Sequence, residues 1–271
     1  MPQIRFRFAR VSRLLSLKLV LIGSLFSLLL TPQVLLAKGI PQRWEAREYQ
    51  PPGDLSTPNR TAGAGTRSPT SGCPVTGKPL TALLPTSRFG VTATGYPKFF
   101  VYMPAFSSQN LSLPVEFLLA DKNGNEIYKA NFQTNGTPGI VTLDLPTDAG
   151  LAPLEVGQNY KWSLSIICKV SERSGDLSVE GWVRRVELNP TLNAQLKQAS
   201  PQKQVELYAE AEIWQDALTT LVQLRRNIPN DPELAASWQK LMSAAGLDDM
   251  AQESLVPRST TPRLPVSSLQ R

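Results

Sequence analysis

The sequence predicts a β-rich domain, an antiparallel β-sandwich of immunoglobulin-like type, followed by a small α-helical C-terminal region. Three observations carry that reading. From residue 73 to residue 189, apolar residues recur with period two. Asn123-Gly124 stands between two such runs, where a tight hairpin would turn. After Pro190 the period changes to that of a helix. A jelly roll or a small barrel is the alternative arrangement of the same strands.

The strands follow in order. Leu80 to Leu84 opens a short one. From Pro97 to Met103, Phe99, Val101 and Met103 alternate with Phe100 and Tyr102. Val115, Phe117 and Leu119 form one face of the next strand. Asp121-Lys122-Asn123-Gly124-Asn125 then turns the chain toward Ile127, Tyr128 and Phe132. Ile140, Thr142 and Asp144 oppose Val141, Leu143 and Leu145. The clearest strand runs from Tyr160 to Cys168. Tyr160, Trp162, Leu164, Ile166 and Cys168 share one face, with Lys161, Ser163 and Ser165 on the other, so Cys168 is expected in the core. Leu177 and Val179 begin the last strand. Trp182, Val186 and Leu188 fall out of phase with them, which predicts a bulge at Gly181.

Residues 190–250 read as helices. Ser200-Pro201 is an N-cap followed by proline at the first helical position, and Val205, Tyr208, Ala209 and Glu212 mark that helix. Trp214, Ala217, Leu218, Leu221, Leu224 and Ile228 form the stripe of a second, ended by Pro229-Asn230-Asp231. Asp231-Pro232 caps a third, with Leu234, Trp238, Leu241, Met242 and Ala245 as its stripe and Gly246 as its stop. Residues 38–72, with five prolines, read as a disordered linker, and residues 251–271 as a disordered tail.

The first 37 residues read as a signal peptide. Arg5, Arg7, Arg10, Arg13 and Lys18 stand at the front with no acid among them, and an apolar block from Leu19 to Leu30 follows. Pro32 and Gln33 interrupt the apolar stretch, which suits cleavage after Ala37; an uncleaved membrane anchor is the alternative. The whole chain is +6, from 28 Lys and Arg against 22 Asp and Glu. Without the leader, 23 cations face 22 acids, a net of +1. No basic surface for nucleic acid is left. Export to the periplasm or beyond also makes Cys73 and Cys168 a disulfide in expectation, with two buried free thiols as the alternative.

The chain contains no histidine. That excludes histidine-based triads, Cys–His pairs and histidine-ligated zinc or iron. Neither a metal nor another cofactor is expected. Asp121 to Glu126 resembles the front of a calcium loop, but Glu126 stands where that loop needs glycine and Phe132 where it needs glutamate. The hairpin explains those residues. Glu172, Asp176 and Glu180 could serve glycoside hydrolysis as paired carboxylates; a surface turn in which Arg173 pairs with Asp176 is the simpler reading. Tyr102, Trp182 and Phe100 could stack on sugar rings if they fall on an outer face.

Tyr208, Trp214, Ala217 and Pro229 stand at spacings that resemble one tetratricopeptide repeat, with Glu212-Ile213 where such repeats usually place glycine; a helical hairpin packed on the β-domain is the alternative. The chain as a whole resembles the cyanobacterial exported family catalogued as domain of unknown function 928. The residues that carry this are Gly63-Ala64-Gly65-Thr66-Arg67, Cys73, Leu80 to Pro85, Phe99 to Tyr102, Trp162 to Cys168 and Val179 to Val183. Tyr208 to Ala211 and Trp214 to Leu218 extend it. The resemblance implies a secreted or periplasmic protein of a photosynthetic bacterium and supplies no activity.

The expected function is that of an exported, non-enzymatic binding or scaffold protein of the cell envelope. Tyr208, Trp214, Ala217 and Trp238 are the helical residues expected to meet a protein partner. A polysaccharide-binding protein using Tyr102 and Trp182 is the first alternative, and a glycosidase using Glu172, Asp176 or Glu180 the second. Membrane contact is expected through an uncleaved leader alone.

Overall fold

A computed structural model describes residues 39–42, 73–108, 111–147 and 150–257. The expected signal peptide, most of the linker and the tail beyond 257 lie outside the described residues. All described residues belong to one compact unit.

The strands are β1 (Val75–Thr76), β2 (Thr81–Ala82), β3 (Phe89–Thr92), β4 (Lys98–Met103) and β5 (Ala105–Phe106). They continue with β6 (Pro114–Asp121), β7 (Glu126–Gln133), β8 (Gly139–Asp144), β9 (Asn159–Ile166) and β10 (Leu177–Arg185). Five of them form a sheet in the order β3-β10-β9-β6-β7, three form another in the order β2-β4-β8, and β1 pairs with β5. The hairpin at Asn123-Gly124 joins β6 to β7, with Gly124 at φ +88°. Its turn is fixed by Asp121, whose Oδ1 accepts from the backbone N–H of Asn123 and Asn125 at 2.8 and 2.9 Å.

One pairing departs from the antiparallel expectation: β3 runs parallel to β10, with Phe89 opposite Trp182. A hairpin forces its strands antiparallel, but β3 and β10 lie far apart in sequence and nothing obliges them to oppose.

The two larger sheets share a core. Phe99 of β4 meets Phe117 of β6 at 5.2 Å and Trp162 of β9 at 5.1 Å between ring centroids. Phe100 and Tyr102 point the other way along β4, yet they are also buried. Their face is covered by helices, which explains why Phe99 to Met103 reads as a continuous apolar run.

The expected bulge at Gly181 is absent. β10 pairs with β9 in unbroken register from Leu177↔Ile166 to Arg184↔Asn159. Glycine is needed there because a Cβ would lie 2.1 Å from Leu84 Cδ1 and 3.2 Å from Trp162 Nε1. Gly90 in neighbouring β3 leaves similar room, with Gln215 and Leu84 atoms 3.2–3.3 Å from the Cβ it lacks. These two glycines form the seat on which Leu84 and the start of a helix rest. Trp182 falls out of phase because Gly181, Trp182 and Val183 are buried in succession, so the middle of β10 is covered on both faces.

Four helices follow: α1 (Pro190–Gln198), α2 (Pro201–Glu210), α3 (Trp214–Asn227) and α4 (Pro232–Ala244). Three begin with a polar cap and a proline. Asn189 accepts from Leu192 N–H, Ser200 from Lys203 N–H, and Asp231 from the N–H groups of Glu233 and Leu234. α1 stands ahead of the three helices expected, although Asn189-Pro190 carries the same start signal. Its stripe is short, with Leu192 and Leu196 its two buried residues. Glu212 joins α2 to α3 at φ +59°, a left-handed conformation that glycine adopts at less cost. Ile228, expected on the buried stripe of α3, is its C-cap and 47 % exposed.

Residues 251–257, expected as the start of a disordered tail, are packed on the domain. Ala251 and Val256 are buried. Ile140 N–H donates to Ser254 C=O at 2.8 Å, and Val256 N–H donates to Ile140 C=O at 2.9 Å. An open edge on β8 leaves backbone groups unpaired, and this segment satisfies them.

Candidate functional site

Cys73 and Cys168 form a disulfide, with their Cα atoms 4.9 Å apart. The bond ties the chain just before β1 to the chain just after β9. Cys168 lies at the rim of the core, partly exposed and packed against it rather than inside it. Its N–H donates to Asp176 Oδ1 at 3.2 Å.

The helical residues expected to meet a partner are turned inward. Trp214 and Ala217 are fully buried, Trp238 is 1 % exposed, and Tyr208 is partly buried. Trp214 Nε1–H donates to Leu83 C=O at 2.9 Å. Trp238 Nε1–H donates to Ala251 C=O at 3.0 Å, and the Arg225 guanidinium lies over its ring at 4.5 Å. Trp214 holds α3 to the segment after β2, and Trp238 holds α4 to α3 and to the segment that follows α4. The stripe of α3 is covered from within the chain, by β3 of the five-stranded sheet and β4 of the three-stranded one.

The expected sugar-stacking aromatics require a similar correction. Tyr102 is 5 % exposed and Trp182 4 %, so neither offers an open ring face. Phe100 is buried as well.

The three acids weighed for catalysis each have a cation. Glu172 pairs with Lys169 at 3.2 Å, Glu180 with Lys161 at 3.0 Å, and Asp176 accepts from Arg173 Nε–H. Arg173 also reaches Glu116, which Lys129 pairs at 2.8 Å. The Lys129 ammonium is the main reason that the Glu116 carboxyl sits below its usual range. This is the surface turn of the simpler reading.

One further carboxylate, partly buried, meets the end of β3. Asp216, in the first turn of α3, turns its carboxyl toward the end of β3. Its Oδ2 accepts from Thr92 Oγ1–H at 2.8 Å and from Ala93 N–H at 3.0 Å. Desolvation pushes its pKa up from 3.8 to about 6, against the pull of those two bonds. Tyr208, nearby on α2, is pushed up mainly by its own burial and also by the Asp216 charge. Next to Asp216, the buried Gln215 donates from Nε2 to Lys98 C=O at 3.1 Å. The sequence signal was ambiguous, because an acid in the first turn of a helix usually answers the helix dipole in solvent.

The folded state holds the proton more tightly than the unfolded one, so the stabilisation linked to this proton is full below pH 4 and is lost as pH rises to about 6. Asp216→Asn is therefore expected to gain about 1–2 kcal/mol relative to the natural chain between pH 4.5 and pH 7.5. Urea titrations of both proteins at the two pH values check this.

The described surface also holds a cavity of about 710 Å³ beside α1 and α2. Leu192, Gln195, Leu207, Glu210 and Glu212 contribute to its walls. α1 was not expected, so this cavity had no counterpart in the sequence reading.

A family model described as Domain of Unknown Function (DUF928) matches residues 62–255. The chain belongs to this family. The DUF928 match spans the sheets and the helices together, in keeping with their single core. It carries no assigned activity. No curated protein matches the chain.

Proposed function

We propose that this DUF928 protein is an exported, non-enzymatic binding or scaffold module of the cell envelope. The observation that carries the reading is the shared core. A Trp214–Leu83 hydrogen bond and the Asp216–Thr92 contact lock α3 to the β part, whose own start is tied to the end of β9 by the Cys73–Cys168 bond. Such a body presents fixed outer surfaces, which suits recognition more than turnover. The charge pairing of Glu172, Asp176 and Glu180 supports a structural role for these acids.

On this reading the two larger sheets form an immunoglobulin-like sandwich, and α2 with α3 forms a single tetratricopeptide-like hairpin. The left-handed Glu212 in the place of the usual glycine, and the fully buried Ala217, support the hairpin. The partner meets outward faces of the helices, since the inward stripes are occupied.

The full chain, expressed in its own envelope with a photoreactive residue at exposed Lys240 of α4, is expected to capture one recurring protein. The same residue at Ser163, on the far sheet, is expected to capture none. Hydrolysis of envelope polysaccharide by the purified protein, lost in Glu180→Gln, would overturn the reading.

A further inference from the structure

In the core, the indole N–H of Trp162 and the side-chain carbonyl of Gln215 are buried without a hydrogen-bond partner. Both side chains are 1 % exposed. The Trp162 ring is packed against Phe99 at 5.1 Å between centroids. The Gln215 amide is oriented by its Nε2–H bond to Lys98 C=O, which leaves Oε1 on the other side of the amide. Buried donors and acceptors in folded proteins are nearly always paired, so an orphaned donor beside an orphaned acceptor calls for a cause.

Both orphans flank one side chain, Leu84. The Cβ that Gly181 lacks would stand 2.1 Å from Leu84 Cδ1 and 3.2 Å from Trp162 Nε1. The Cβ that Gly90 lacks would stand 3.2 Å from Gln215 Oε1 and 3.3 Å from Leu84 Cδ2. One Leu84 methyl therefore lies on the side of the donor and the other on the side of the acceptor, over a floor that two glycines leave bare. Methyl groups satisfy neither orphan. On its other side Leu84 lines a surface cavity of about 240 Å³, with Pro85 and Thr86 beside it and Ala245, Gly246 and Leu247 opposite, at the end of α4. A change of Leu84 rotamer would carry its methyls into that cavity and uncover both orphans.

We propose that Leu84 is the movable wall of a binding slot, and that the slot takes an acetamido group. The carbonyl of that group accepts from Trp162 Nε1–H, its N–H donates to Gln215 Oε1, and its methyl replaces a Leu84 methyl on the glycine floor. The pairing selects a neutral amide. A carboxylate has no donor for Gln215, and an ammonium has no acceptor for Trp162. N-acetylated sugars and N-acetylated peptides both carry the group. The slot stands without the export reading.

The test follows the indole N–H resonances of the full, oxidised chain by proton–nitrogen NMR, with the Trp162 resonance assigned by its loss in Trp162→Phe. N-acetylglucosamine and N-acetylglycinamide are each expected to shift it saturably, and glucose to leave it in place. A response to the sugar alone, or to the peptide amide alone, supports the slot and identifies the source. Gln215→Met removes the acceptor and is expected to weaken binding by about three- to tenfold, the scale of one hydrogen bond. Leu84→Ala has less to displace and is expected to bind more tightly than the natural chain. The slot would be overturned by the lack of a saturable shift with either amide in the natural chain, or by an equal shift with glucose. Binding in Leu84→Ala no tighter than in the natural chain would overturn the movable wall.

Discussion

Trp214→Ala is expected to separate the helices from the sheets and to unfold the protein as a whole. Trp214 is fully buried, and its indole N–H is the donor to Leu83 C=O. Removing so large a buried side chain costs about 3–5 kcal/mol. Stranding the Leu83 carbonyl adds about 1–3 kcal/mol. The sum is comparable to the whole stability of an ordinary domain, about 5–15 kcal/mol. Trp214→Phe keeps most of the apolar contact and is expected to lose about 1–3 kcal/mol, chiefly through the orphaned carbonyl. Urea unfolding followed by far-ultraviolet and near-ultraviolet circular dichroism checks both. The helical and sheet signals are expected to lose structure at one midpoint in the natural chain and in Trp214→Phe. Two separate midpoints would contradict a common core. The same argument bears on mapping a partner by truncation. Removing residues 190–250 would uncover Leu83, Leu84 and the Phe100 face of β4, so loss of a partner would report unfolding rather than a missing contact.

Much of this arrangement was legible in the alternation and the caps. Tyr160, Trp162, Leu164 and Ile166 occupy the inner face of β9 as their spacing requires. Asn123-Gly124 turns β6 into β7, and Ser200-Pro201 and Asp231-Pro232 start α2 and α4. These are local signals, decided by a few neighbouring residues. What the sequence hid was long-range. Phe100 and Tyr102 look like an outer face until α3 and the segment around Glu253 are placed against β4. Gly181 looks like a bulge until Leu84, nearly a hundred residues earlier, is placed against it. Asp216 looks like an ordinary helix-start acid until β3 arrives to desolvate it. Period and capping carry no record of which distant element covers a face, and each of the misread sites depends on that covering. The disulfide lies between the two cases: compartment and cysteine count pointed to it, while its place at the rim came from how β9 ends.

Cys73→Ser is the second large loss expected. The bond closes a loop with sequence separation 95. In the chain-entropy description, a closed loop of that length removes about 4–5 kcal/mol of freedom from the unfolded chain. For a body of this size that corresponds to a fall of roughly 10–15 °C in thermal midpoint. The effect has a local side as well. β1 is two residues long and pairs with an equally short β5. A two-residue pairing has little stability of its own, so with the bond broken β1 and β5 are expected to exchange amide hydrogens faster than β9 and β10. Cys168→Ser should match Cys73→Ser, and the double variant should cost no more than either one, because all three remove the same bond. Reductant should lower the midpoint of the natural chain to that of the variants and leave the variants unmoved. A variant that keeps the natural midpoint would mean that the packing of Leu80, Phe99 and Trp162 fixes the start of the domain unaided. The expected loss instead ties the stability of the sheets to a compartment in which the bond stays oxidised, and so ties the fold to the export that the first residues of the chain propose.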